Sequence, residues 1–164
     1  MKKLIFFSFL VSLFSLTTEV SAQASICGQF HLKYCVFDGG EDDDSEFFYY
    51  NAQSKSGLFA QGSTSRMRCI IYRGMDYRIT VCCETALGEQ LTFKISDART
   101  KEVLYDNSTD ENKKQYEFQS SSTRQLIIEV AVPAGETKAE KGKAADAACV
   151  GLLIEHKKTD RAGL

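Results

Sequence analysis

The stretch Tyr77–Cys83, with the sequence YRITVCC, decides the fold class because its side chains alternate in character. From Tyr77 on, every second residue of the stretch is apolar, and Arg78 and Thr80 stand between them. This period of two is typical of a β-strand with one buried face. Similar segments recur between turn residues, and they predict strands at 67–72, 77–83, 91–95, 102–105, 116–118, 126–132 and 150–154.

Short strands at this turn-punctuated spacing favour an antiparallel sandwich or barrel. No long helical period separates them, which argues against a parallel α/β sheet. Upstream, Ile26, Phe30 and Tyr34 are four residues apart, as in a short amphipathic helix, although an irregular segment is the alternative. We therefore predict a mainly β chain: an antiparallel, jelly-roll-like β-sandwich with a short N-terminal helix or irregular segment.

Residues 1–22 have the three parts of an export signal. Lys2 and Lys3 precede an apolar run over 4–16, and residues 20–22 (Val-Ser-Ala) suit a signal peptidase. The run is shorter than the ~20 residues that span a bilayer. The chain is therefore predicted to be secreted or periplasmic. We divide it into a signal peptide (1–22), an N-terminal segment with an acidic loop (23–65), a β-sandwich core (66–157) and a flexible tail (158–164).

All the cysteines lie downstream of the predicted cleavage site, and they are Cys27, Cys35, Cys69, Cys82, Cys83 and Cys149. An even number in an exported chain predicts disulfides, and six cysteines allow fifteen pairings. Alternation directs Cys82 and Cys149 away from the core, so a bond between them is expected if their strands are neighbours. Cys27–Cys35 is a second expected pair, which would require a non-helical segment.

Several segments resemble exported bacterial proteins with a pre-peptidase C-terminal (PPC)-like domain, namely Tyr50–Gly62, Tyr72–Cys82, Val103–Asn107 and Cys149–His156. The resemblance covers roughly 66–156 and implies a small jelly-roll sandwich. It also implies a non-catalytic accessory or binding module, since such domains generally have that role and some of them hold calcium. The protease domain that usually accompanies them is not part of this sequence.

Two neighbouring segments are candidate sites. Asp42, Asp43, Asp44 and Glu46 form an acidic loop whose oxygens suit calcium, although their spacing is not that of an EF-hand. Calcium is therefore the one ion we consider, and no other cofactor is expected. The aromatic residues that follow are a candidate contact surface, and they are Phe47, Phe48, Tyr49 and Tyr50.

Composition and motifs exclude several functions. The net charge is −2 and the chain has no basic stripe, so no nucleic-acid partner is expected. No second apolar span follows the signal, so no membrane span is expected in the mature chain. Motifs for phosphate loops, dinucleotide sites and serine-hydrolase elbows are absent. We predict a non-catalytic exported module that contacts a protein, a glycan or the cell envelope. A carboxylate-dependent hydrolase and a calcium-stabilised structural domain are the alternatives.

Overall fold

A computed structural model describes residues 27–36, 48–88, 90–134 and 147–159. This part of the chain is mainly β, with two antiparallel sheets and one short α-helix, and the predicted fold class is confirmed. The helix is α1 (Phe30–Tyr34). The strands are β1 (Tyr49–Tyr50), β2 (Lys55–Ala60), β3 (Thr64–Ile71), β4 (Met75–Cys83), β5 (Thr92–Asp97), β6 (Val103–Asp106), β7 (Gln115–Ser120), β8 (Arg124–Ala131) and β9 (Ala147–Lys158).

The two sheets divide the strands unequally. In the five-stranded sheet, β9 pairs with β4 on one side and with both β1 and β2 on the other, and β7 pairs with β4. The four-stranded sheet has the order β3-β8-β5-β6. Within the described residues, strand pairing runs from Tyr49 to Lys158, beyond both ends of the predicted 66–157 core, because β1 and β2 complete one edge of the five-stranded sheet.

The inner faces of both sheets form one hydrophobic core. Ile79 and Val81 of β4 are fully buried, as are Phe93 of β5 and Ile128 of β8. On β5 and β8 the intervening side chains are only partly buried, so these strands show the alternation expected of a sheet with one solvated face. On β4 the core contains Tyr77, Ile79 and Val81, as the pattern of Tyr77–Cys83 predicts, but Arg78 and Thr80 on the other face are buried as well.

Strand β9 departs from that alternation, because residues 148–154 are buried on both faces. Helix α1 packs against this strand and turns Cys27, Phe30, His31 and Cys35 inward. The predicted helix exists, but its buried stripe is not the one expected from 26, 30 and 34. Tyr34 is exposed, and Ile26 lies outside the described residues.

Two disulfides fasten α1 to the five-stranded sheet, Cys27–Cys149 and Cys35–Cys82. The expected pairs Cys82–Cys149 and Cys27–Cys35 are therefore wrong. Strand register explains the first error, since Gly151 and not Cys149 lies opposite Cys82. The second fails because the segment between Cys27 and Cys35 is helical, and a helix holds residues eight apart too far from one another to bond.

The other two candidate cysteines, Cys69 and Cys83, are not in disulfides. Cys69 lies on the inner face of β3 within the core, and burial raises the pKa of its thiol to about 12. The Cys83 thiol donates to the carbonyl of Gly88. Both side chains pack as small apolar groups, as cysteine commonly does in a core.

A buried amide organises the corner where β6 ends. Asn107 is fully buried, and its Oδ1 accepts from the backbone N–H of Phe93 at 2.8 Å. Its Nδ2 donates to the carbonyls of Leu91 (2.8 Å) and Lys113 (3.2 Å). One side chain thereby satisfies three backbone groups, two at the start of β5 and one before β7.

Candidate functional site

The predicted aromatic segment lies at the edge of the five-stranded sheet. Tyr49 and Tyr50 form β1 and pair with His156 and Glu155 of β9. Tyr49 is 69 % exposed and Tyr50 is 49 % exposed, so both rings are presented to solvent by a paired strand. Phe48 precedes them and is half-buried, whereas Phe47 lies outside the described residues. We call Phe48, Tyr49 and Tyr50 the aromatic surface.

Two cations hold the ring of Phe48. The guanidinium carbon of Arg78 lies 4.2 Å from the ring centroid, and the ammonium nitrogen of Lys157 lies 4.6 Å from it. Both distances are within the range of cation–π attraction, which strengthens as the cation is desolvated. The ring is thereby placed against β4 and β9, although no strand pairing reaches residue 48.

Arg78 is the residue beneath the aromatic surface that the sequence did not single out. Its side chain is only 5 % exposed, and its Nε donates to Glu117 at 2.6 Å. Its Nη1 lies 4.0 Å from a carboxylate oxygen of Glu155. A buried charge needs such partners, because an unpaired one would carry a large desolvation penalty. The sequence pattern indicates only that Arg78 is one outward-facing residue of an alternating strand.

An open depression of about 370 Å³ adjoins Phe48 on the β4–β7 side, lined by Phe48, Asp76, Tyr77, Glu117, Phe118, Gln119 and Lys157. Its two carboxylates already accept hydrogen bonds within the protein. Asp76 accepts from the hydroxyl of Thr159 at 2.6 Å, and Glu117 accepts from Arg78 and Gln115. These bonds fix the wall of the depression as a polar surface with charges of both signs.

Tyr50 joins the aromatic surface to α1 through His31. The hydroxyl of Tyr50 lies 3.4 Å from Nε2 of His31, and the two rings are stacked with centroids 6.0 Å apart. On the other side, Nδ1 of His31 lies 2.6 Å from Oγ of Ser56. The same oxygen accepts the backbone N–H of His31 at 2.8 Å, so the Ser56 proton is available to Nδ1. Burial lowers the pKa of His31, which favours this neutral ring.

A serine beside a histidine is also the arrangement of an activated nucleophile. Here, however, Ser56 accepts a backbone N–H from the first turn of α1, where amides have no partner within the helix. His31 is buried, and its other nitrogen is directed to Tyr50. The contacts of His31 with Ser56 and Tyr50 therefore connect α1 to β2 and β1. The sequence contained no signal for it, since residues 31, 50 and 56 share no motif.

The candidate calcium ligands Asp42, Asp43, Asp44 and Glu46 lie outside the described residues. Within the described ranges, no group of three or more His, Cys, Asp or Glu side chains could hold a metal ion. The acidic turn after β6 is neutralised locally, since Asp106 pairs with Lys94 at 2.9 Å and Asp110 with Lys113 at 2.8 Å. Hydrogen bonds from Ser108 and Lys94 lower the pKa of Asp106, and those from Lys113 and Tyr105 lower the pKa of Asp110.

Comparisons with known proteins show no family for the chain. No protein-family model matches the chain, and no curated protein matches it significantly. Among solved structures, it is similar to the periplasmic inhibitor of g-type lysozyme, PliG, from Aeromonas hydrophila. The identity is 13 % and the TM-score 0.42, over 63 % of this chain and 84 % of that one. That similarity is too low to establish a common fold. The resemblance to PPC-like domains stays a prediction.

The described part of the chain contains no helix that is long and apolar enough to cross a membrane.

Proposed function

We propose that this chain is a non-catalytic exported binding module that contacts a protein partner through the aromatic surface. The observation that carries the proposal is the exposure of Tyr49 and Tyr50 on a paired strand. Tyrosine supplies a large apolar contact area and a polar tip, and few of its torsions must be frozen on binding. Tyrosine and arginine are also enriched among the residues that dominate binding energy in protein interfaces.

The surroundings of the two tyrosines support a protein partner. The exposed side chains of Leu32, Tyr34 and Val36 belong to the α1 segment, which reaches the aromatic surface through His31. On the other side lies the polar depression with Lys157 and Glu117. An apolar and aromatic centre flanked by charged groups of both signs is the usual anatomy of a protein interface.

The aromatic surface is also held in place before any partner arrives. Phe48 is fixed by two cations, Tyr50 stacks on His31, and α1 is attached by two disulfides. Groups that are already ordered lose less conformational entropy on association. An exported location, as expected from residues 1–22 and consistent with the disulfides, would expose this surface to other exported proteins.

The test compares Tyr49→Ala with Tyr72→Ala. Tyr72 is a matched control, because it is 56 % exposed and lies on the turn between β3 and β4. Immobilised wild-type protein and both variants are incubated with the exported-protein fraction of the source cells, and retained proteins are quantified by mass spectrometry. We expect a partner whose retention falls about tenfold or more with Tyr49→Ala, as for a residue central to an interface. Tyr72→Ala should retain it within about twofold.

The partner is then purified and titrated calorimetrically against the same three proteins. Equal loss with both variants, or retention indifferent to Tyr49, would overturn the proposal. A glycan array is run in parallel, and glycan binding that depends on Tyr49, without any retained protein, would reassign the surface to carbohydrate.

The other interpretations have their own tests. For a calcium-stabilised domain, an ion at a hundred times its dissociation constant adds about 2.7 kcal/mol, so EDTA would lower the melting temperature. An unchanged melting temperature would exclude it. For a carboxylate-dependent hydrolase, Asp76 and Glu117 are the described acids that share a depression. Glycoside cleavage that Glu117→Gln abolishes would favour this alternative over binding alone.

A further inference from the structure

Within the described ranges, β2 and β3 do not pair with each other across one side of the sandwich. They are consecutive in the chain, but the turn at residues 61–63 takes the chain from one sheet to the other. Among the described strands, β2 pairs only with β9 and β3 only with β8. A cleft of about 160 Å³ lies between them and reaches the hydrophobic core. This cleft is on the inner side of the sheets, so it is separate from the aromatic surface.

The cleft exists because two inward positions carry little side chain. Gly57 on β2 lies opposite Val150 of β9, and Ser65 on β3 lies opposite Val130 of β8. Both residues line the cleft, and the valine opposite each of them on the neighbouring strand lines it too. Elsewhere, inward positions of both sheets carry large apolar side chains that form the hydrophobic core.

Gly57 is not required by the backbone. Its φ is not positive, and an added Cβ would meet only the ring of Phe59, at 3.5 Å, which is ordinary van der Waals contact. A larger residue would therefore be accepted sterically at the first carbon, and it would extend into the cleft. The backbone of β2 would therefore allow a larger residue at position 57, and the glycine adds that side-chain volume to the cleft.

The lining of the cleft defines the chemistry of its occupant. The walls are apolar, with Phe59, Met67, Ile128 and Leu152. Among the described residues of the lining, Lys55 is the one with a charge; it is exposed, and it enters no ion pair with other described residues. An apolar cavity of about 150 Å³ accepts a benzene-sized group. Size, apolar walls and one cation together select a compact apolar group with a negative charge.

We propose that the cleft between β2 and β3 binds a small carboxylic acid with a single ring or a short branched chain. The apolar body would occupy the space beside Gly57 and Ser65, and the carboxylate would face the ammonium of Lys55. Such a ligand removes apolar surface from water while its charged end stays at the solvent-exposed side.

The test uses three probes that share a benzyl group and differ at the polar end, phenylacetate, benzyl alcohol and 2-phenylethylammonium, titrated into the mature protein with ¹⁵N–¹H NMR detection. We expect phenylacetate to shift the amides of residues 57, 65 and 150 saturably. Benzyl alcohol should bind about threefold more weakly, as for an exposed ion pair, and the cation more weakly still. Lys55→Gln should remove the preference for the acid over the alcohol.

Two variants that fill the cleft test where the ligand binds. Gly57→Val and Ser65→Leu fill the cleft from opposite sheets, so one remains informative if the other fails to fold. Each should abolish binding, whereas Leu58→Val, on the outward side of the same strand, should leave it unchanged. Absence of saturable shifts, or binding that survives both filling variants, would overturn the site. Equal binding of all three probes would overturn the assignment to a carboxylic acid. None of these outcomes depends on the aromatic surface.

Discussion

The outer faces of the two sheets are built in different ways. On the four-stranded sheet, β5 and β8 alternate buried and partly buried residues, so their outward side chains meet water. On the five-stranded sheet, β9 is buried on both faces from 148 to 154, because α1 covers it. The cover is attached by two covalent bonds, whereas the four-stranded sheet is held at its β6 corner by the hydrogen bonds of Asn107.

This difference shows what a short helix needs in order to stay on a sheet. Helix α1 has five residues, and isolated helices of that length do not form in water. Only two of its five side chains, Phe30 and His31, are buried, and disulfides on both sides of the helix add to the attachment. The Asn107 corner needs no such bond, because strand pairing already holds the segments on either side of it.

The largest effect is expected from removing a disulfide. Cys27→Ser/Cys149→Ser opens a link between residues 122 apart in sequence, which should lower the free energy of unfolding by about 4 kcal/mol. The reason is the greater conformational entropy of the unfolded chain. Urea unfolding followed by circular dichroism measures the change. The control is Cys83→Ser, which keeps a donor toward Gly88 and should cost much less. Equal losses in both would mean that the covalent attachment is not what holds α1.

The next effect is expected from Asn107→Ala, which tests the hydrogen-bonded side of the comparison. The substitution leaves the N–H of Phe93 and the carbonyl of Leu91 buried without their partner. Unsatisfied buried groups cost about 1–3 kcal/mol each, so we expect a loss of about 3 kcal/mol. Lys114→Ala, at an exposed position just after the same turn and without a positive φ, is the control. A loss below that of the control would show that water replaces the amide.

The sequence predicted the fold class because β-strands with one buried face produce a local pattern. Alternation at Tyr77–Cys83 depends only on neighbouring residues, so the core of β4 could be identified without knowing its partners. The same rule correctly turned Cys82 and Cys149 outward. It failed for their pairing, because register decides which residues face one another, and register is a property of two strands.

Only part of the candidate site could be predicted from the sequence. A run of aromatic residues marks a surface or a core segment equally well, and only β1 pairing decides that Tyr49 and Tyr50 are exposed. Arg78, Lys157 and Glu117 meet from three different strands, and none of them has a local signature. The cleft beside Gly57 depends on a missing side chain, which a sequence shows without showing the space around it.

A smaller effect is expected from Gly151→Ala, which tests how closely α1 packs against β9 without breaking a covalent bond. An added Cβ would lie 2.6 Å from Sγ of Cys35 and 2.9 Å from Cα of His31, so the helix and its disulfide must move. Overpacking of this kind costs about 1–3 kcal/mol. Gly57→Ala on the neighbouring strand is the matched control, because its Cβ meets nothing closer than 3.5 Å. Similar melting temperatures for the two variants would contradict the close fit of α1.

The smallest effect is expected from pH, through the histidine that links α1 to β1 and β2. Burial lowers the pKa of His31 below its ordinary value of 6.5, so the unfolded chain binds this proton more tightly than the folded one. The contribution of neutral His31 to the free energy of unfolding is therefore fully present above pH ~6.5, and it is lost as the pH falls through the folded-state pKa. The lowered carboxyl pKa values of Asp97, Asp106 and Asp110 act at lower pH, since they start from 3.8. Urea unfolding at pH 8, 7, 6 and 5 measures the slope, which His31→Gln should flatten within this window. A slope that the substitution leaves unchanged would mean that the contacts of His31 with Ser56 and Tyr50 do not depend on its charge.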